Sequence, residues 1–216
     1  ESMTNAPHLV FARKGVKYGA AALYDHMALD GLEDAYERGK AMGVFAEQCV
    51  GKYSFSREAM DQFAIASTQR SKAANEDGSF GWEMAPVTIA SPKGDTVVKF
   101  DEQPFKAKLD KIPTLKPAFK KDGAITAATS SSISDGAAAL VLMRESTAKK
   151  MGVTPIAGIV AHAVHAQAPE WFTTAPVGAI QKVLQRAGWD AKSVNLWEVN
   201  ESLAAVTMAA MAEFKL

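Results

Sequence analysis

From Ala124 onward, short apolar runs alternate with stretches of helical periodicity, and this alternation narrows the accessible folds more than any other feature of the chain. AITAATSSSISDGAAALVLM closes in a run of buried-strand character, and a helix is expected over 145–151. IAGIVAHAV reads as a second strand, followed by a loop at 166–175. Pro176 then suits the first turn of a helix, with Val177, Ile180, Val183 and Leu184 inward and Gly188 as terminator. A last apolar run, Val194–Val199, stops at Asn200-Glu201 and gives way to the alanine-rich LAAVTMAAMAEF. Strands alternating with helices at this spacing specify an α/β domain, at least beyond residue 124.

The preceding residues have a different texture. Leu23, Met27, Leu32 and Ala35 fall at helical spacing, broken by Asp30-Gly31, and a helix is expected over 46–52. The clearest helical signal follows Ser56, a good N-cap residue. Met60, Phe63, Ala64 and Ser67 share one face, and Asn75-Glu76-Asp77-Gly78 closes the helix. VTIA and TVVKF flank Ser91-Pro92-Lys93-Gly94-Asp95 as a hairpin, and residues 101–122 are irregular and basic.

Composition excludes several function classes. Lys plus Arg and Asp plus Glu number 24 each, so a formal net charge of zero argues against wholesale nucleic-acid binding. A single cysteine rules out an intrachain disulfide framework or thiolate metal cluster and fits a reducing compartment. No apolar run approaches the roughly 20 residues of a membrane span. The N-terminal ESMTNAPHLVFARKG lacks the pattern of a secretory signal. The chain does not begin with Met and ends inside a helical pattern, so both ends read as interior points of a longer protein.

The chemistry-bearing residues each allow two readings on local grounds. Asn200, where a strand runs directly into a helix, either caps that helix, with Glu201 favouring its dipole, or faces a ligand crevice beyond the sheet edge. Ser130, Ser131 and Ser132 either form a turn, with Asp135 as a helix cap, or present hydroxyls and amides to a polar ligand. The lysines at 106–111 are a solvated loop unless a polyphosphate lies beside them. Cys49 has no nearby histidine and reads as an inert core thiol. His8, His26, His162 and His165 lack metal-ligand spacing, with His162 and His165 on opposite faces of a strand, so no zinc site is expected. There is no phosphate-binding glycine motif.

Taken together, the segments resemble the middle of a thiolase. ESMTNAPHL, DGLEDAYERGKAMGVFAEQC, SREAMDQFAIASTQRSKAA, KIPTLKPAFKKDGAITAATSSSISDGAAALVLM, TTAPVGAIQKVL and WEVNESLAA keep the family's order and approximate spacing over nearly the whole chain. Within the family they are most similar to biosynthetic-type acetyl-CoA C-acetyltransferases, the acetoacetyl-CoA thiolases. The resemblance implies a cysteine acyl-enzyme, a second cysteine that moves the α-proton of acetyl-CoA, and a Claisen condensation or its reverse. It also implies an Asn, acting through a held water, and a His that together stabilise the thioester oxygen.

By that resemblance Asn200 is the oxyanion asparagine, and Ser202-Leu203 replace the family's Ala-Phe, so Leu203 would reshape an acyl-pocket wall. Phe119 matches the aromatic lining the pantetheine channel, Ser131 the serine contacting the pantetheine arm, and Leu32, Met42 and Phe172 other lining positions. Ala41 departs from the histidine often found before the Met-Gly pair. Lys106, Lys108 and Lys111 match the segment that meets the nucleotide end of coenzyme A, where cations neutralise phosphate. Thr68 stands where a mitochondrial member has a potassium-binding Tyr, so no metal site carries over. The nucleophilic Cys and the distal His and Cys segments have no match, and Cys49 aligns with neither thiol.

The implied fold is a partial thiolase fold: α/β, built of layered αβαβα halves with an inserted α+β loop domain. Residues 1–133 would be the loop domain, 134–154 the closing strand and helix of the N-terminal half, and 155–216 the start of the C-terminal half. Leu9–Gly19 reads either as the family's tetramerisation loop or as an exposed basic hairpin. The implied partners are acetyl-CoA or acyl-CoA as substrate and further copies of the chain in a homotetramer, with no permanently bound cofactor, nucleic acid or membrane. The setting is cytoplasmic, or mitochondrial in a eukaryote. The segment alone is expected to expose unpaired edges and to be inactive and marginally stable or aggregating. Two other readings remain: a degradative 3-ketoacyl-CoA thiolase, and a non-catalytic relative that binds CoA thioesters or lipids.

Overall fold

Two helices in the first half of the chain and one at its end carry the core. The computed structural model describes all 216 residues. Strand β1, His8–Leu9, pairs antiparallel with β2, Tyr24–Asp25, and the basic stretch between them is exposed. The helical spacing around Leu23–Ala35 yields only a π-helical turn, Ala28–Leu32, because Asp30-Gly31 interrupts it before a second turn can form. Helix α1, Met42–Tyr53, begins four residues earlier than expected.

Helix α2, Arg57–Glu76, follows at once. Its N-cap is Ser56, whose hydroxyl accepts from the Ala59 amide at 3.0 Å, and Asp77 caps its C-terminus before Gly78 turns the chain at φ 85°. Strands β3, Val87–Ile89, and β4, Thr96–Val98, form the expected hairpin, with Thr88 opposite Val97. A four-residue helix, α3, Gln103–Lys106, and a 3-10 turn, Leu109–Thr114, order part of the basic segment. Helix α4 spans Glu145–Met151. A 3-10 turn, Pro169–Thr174, leads into α5, Ala175–Ala187, which ends at left-handed Gly188. Helix α6, Ala204–Phe214, closes the chain.

The three apolar runs expected as strands, within 138–143, 156–164 and 194–199, form no ladder. An apolar run encodes burial, whereas a strand also needs a neighbour for its amides and carbonyls, and these runs meet none. Leu140, Val141, Ile156 and Val164 are consequently exposed, each by more than 80%. Asp135 caps no helix. It accepts from the Thr4 amide at 2.9 Å, and that bond holds its carboxyl below the usual range. The inward residues expected on α5 are half-buried only.

The core lies where α1 meets α6. Ala46, Cys49 and Val50 face Leu203, Ala204, Ala205, Val206 and Ala209, with Met60 and Ile125 completing the cluster. Alanines on α6 let the two helices approach closely, and Tyr53 on α1 donates to Glu213 on α6 at 2.7 Å. Burial, reinforced by that carboxylate, pushes the Tyr53 phenol up. Cys49 is fully buried, and burial pushes its thiol up as well, against the lesser influences of Thr173 and Lys52. That is the environment of a packing cysteine, not of a nucleophile.

Candidate functional site

The local reading of Asn200 as a helix cap does not survive folding. Helix α6 begins at Ala204, its N-cap is Leu203, and no side chain caps it. The Ala204 amide donates to Thr129 O at 2.9 Å, the Ser131 amide donates to Ser202 O at 3.0 Å, and Ser130 and Leu203 form an antiparallel bridge. The start of α6 is therefore held by the serine turn rather than by its own preceding residues, which leaves Asn200 exposed beyond the pinned stretch.

Of the two sequence readings the turn is the one seen, without Asp135 as a helix cap. Ser130 donates to Thr126 O, and the Ser132 and Ser134 hydroxyls share a bond, so these side chains hold the turn together. The Ser131 hydroxyl has no such partner and is exposed. Beside it opens a cleft of about 590 Å³, within the range of roughly 300–1,000 Å³ usual for ligand sites. It is lined by Phe63, Ser67 and Thr68 of α2, by Lys108 and Lys111 of the basic turn, by the serine turn and by Glu201.

The candidate residues thus fall into two groups. Lys108, Lys111 and Ser131 come together in the lining of the cleft, with Glu201, next to Asn200, also lining it. Lys108 forms no ion pair, and Lys111 has only a loose one with Asp110 at 3.6 Å, so both cations are available to an anionic ligand. Lys106 lies outside the cleft walls and pairs with Glu102 at 3.1 Å. Leu203 is 5% exposed and belongs to the core, and Phe119 packs against that core. The Phe119 ring lies so close to Gly43 that a side chain there would overlap it. Leu32 and Met42 are half-buried at either side of the 33–41 loop, and Phe172 meets Phe45 edge-on at 6.0 Å. No group of three His, Cys, Asp or Glu side chains is placed to hold a metal ion.

Two further interactions support the site, and of their contacts only the i,i+4 spacing of Arg57 and Asp61 has a local sequence signal. Arg57 grips Asp61 through Nε at 2.9 Å and donates through Nη2 to Ile112 O at 3.1 Å and Leu115 O at 2.9 Å, fastening the basic turn to α2. Asp61 is 4% exposed and Arg57 27%. Arg57→Ala would strand a buried carboxylate and release the turn. The expected loss is about 2–3 kcal/mol, below that of a fully buried pair because Arg57 reaches solvent. A thermal melt should register it. The other interaction is Ser67 Oγ donating to Glu201 at 2.5 Å across 134 residues of sequence.

Comparison with known proteins places this arrangement. The family profile "Thiolase, N-terminal domain" matches residues 1–146 and "Thiolase, C-terminal domain" residues 153–216. A probable acetyl-CoA acetyltransferase of Dictyostelium discoideum is 44% identical over 211 residues, covering 97% of this chain and 51% of its own. The crystal structure of the Bacillus anthracis acetyl-CoA acetyltransferase superposes with a TM-score of 0.93 at 34% identity, over 100% of this chain and 55% of that one. An Ascaris suum thiolase solved in complex with coenzyme A superposes with a TM-score of 0.92 at 38% identity, again over 100% and 55%. The chain spans about half the length of the curated relatives it matches.

Proposed function

The chain belongs to the thiolase family, and on that premise we propose that the full protein condenses two acetyl-CoA to acetoacetyl-CoA and CoA, or runs the thiolytic reverse. The observation that carries this reading is the cleft that gathers Lys108, Lys111 and the free Ser131 hydroxyl, with Asn200 next in sequence to its lining residue Glu201. The lysines would neutralise phosphates at the nucleotide end of the coenzyme, and Ser131 would hydrogen-bond the pantetheine arm. Asn200, through a water, would donate to the thioester oxygen as negative charge gathers there. The acylated cysteine and the proton-transferring cysteine would come from parts of the protein outside these 216 residues, since buried Cys49 serves neither role. We retain residues 1–133 as the coenzyme-binding loop domain and a homotetramer as the assembly.

The preference for short substrates rests on the similarity at KIPTLKPAF and SSSISDG. In the full-length protein, thiolysis of acetoacetyl-CoA should exceed that of an eight-carbon 3-ketoacyl-CoA by at least about tenfold in kcat/KM, a difference that a few methylenes can supply. A reversed preference would make the protein a degradative 3-ketoacyl-CoA thiolase. Binding of CoA esters without turnover of either would make it a non-catalytic relative.

A further inference from the structure

The joint that carries Asn200 is nearly free of the rest of the molecule. Residues 195–201 make no backbone–backbone hydrogen bond. Upstream, Trp197 stacks on Phe214 at 5.7 Å, and downstream the chain is fastened from Ser202 onward to the serine turn. Between those anchors one hydrogen bond remains, from Ser67 Oγ on α2 to Glu201 Oε2 at 2.5 Å. Glu201 is exposed, and neither residue belongs to the core cluster, so the bond does little for folding. It ties the residue next to Asn200 to α2.

We propose that Ser67 and Glu201 are positioning residues that act through Asn200, holding its amide in register with the oxyanion while making no contact with the reacting atoms. This rests on the acetyltransferase reading above. Small displacements matter at such a donor, because an error of about 1 Å in a catalytic group can cost on the order of 10²-fold in rate. Binding of the coenzyme through Lys108, Lys111 and Ser131 does not require the tether, so its loss should appear in kcat and not in KM.

The test uses the full-length protein with acetoacetyl-CoA and CoA. Ser67→Ala and Glu201→Ala should each lower kcat roughly tenfold, with KM changed by less than about twofold, and Ser67→Thr, which keeps the hydroxyl, should recover most of the rate. In an Asn200→Ala background, Ser67→Ala should cost nothing further, because its route of action is already gone. Multiplicative losses in the double variant, or a raised KM at constant kcat, would overturn the proposal and make Ser67 a ligand contact. A Ser67→Ala protein that does not fold leaves Glu201→Ala, at an exposed position, to decide the same question. Wild-type protein without turnover would overturn the acetyltransferase reading and this inference together. Failure of the inference alone would leave the difference between wild type and Asn200→Ala intact.

Discussion

Asn200→Ala in the full-length protein is expected to lower kcat for acetoacetyl-CoA thiolysis by roughly 10²–10³, the usual cost of one oxyanion donor, with KM little changed. The side chain is exposed, caps no helix and makes no hydrogen bond within the chain, so its removal should leave the melting temperature nearly unaltered. A fall in kcat without a change in stability or KM is the signature of an interaction made only in the transition state. Asn200→Asp should be at least as damaging, since it sets a negative charge where an enolate develops. Unchanged turnover in Asn200→Ala would remove this residue from the mechanism. A matched rise in KM would make it a ground-state contact.

The second large effect concerns the 216 residues by themselves. Their accessible surface is 15,987 Å², against about 9,600 Å² expected of a compact monomer of this 23.0 kDa mass. Large apolar side chains on the runs that have no ladder contribute to the excess, including Leu140, Val141, Leu142, Ile156 and Ile159. Such continuous faces and unpaired backbone favour association over solution as a monomer. Expressed alone, the segment should bind a hydrophobic dye strongly, lack a sharp thermal transition and aggregate at micromolar concentration, whereas the full-length protein should do none of these. A cooperative melt from a dispersed monomer of the segment would show that the exposed faces find partners within it.

Local structure was legible wherever local chemistry decides it. Ser56 caps α2, Asp77 and Gly78 end it, Pro176 lies in the first turn of α5 and Gly188 stops it, and Pro92 with Gly94 turns the hairpin. Each of these rests on a preferred dihedral or a hydrogen bond spanning a few residues, so the sequence window contains all the information. The apolar runs show the limit. Their composition demands burial, yet whether they pair depends on neighbours remote in sequence, which no local window contains.

The chain's own residues determined the family and the long helices, and they supplied the groups of the proposed site: an amide at residue 200, lysines at 108 and 111 and a serine at 131. Only the tertiary structure decided which of them share a cleft. It sent Leu203 into the core and Lys106 to a surface pair, and it replaced the helix-cap reading of Asn200 with an exposed joint held through Glu201 by Ser67. The physical reason is range. A cap or a turn is settled by neighbours a few residues away, whereas Ser67 and Glu201 lie 134 residues apart and meet only because α1, α2 and α6 pack around one core.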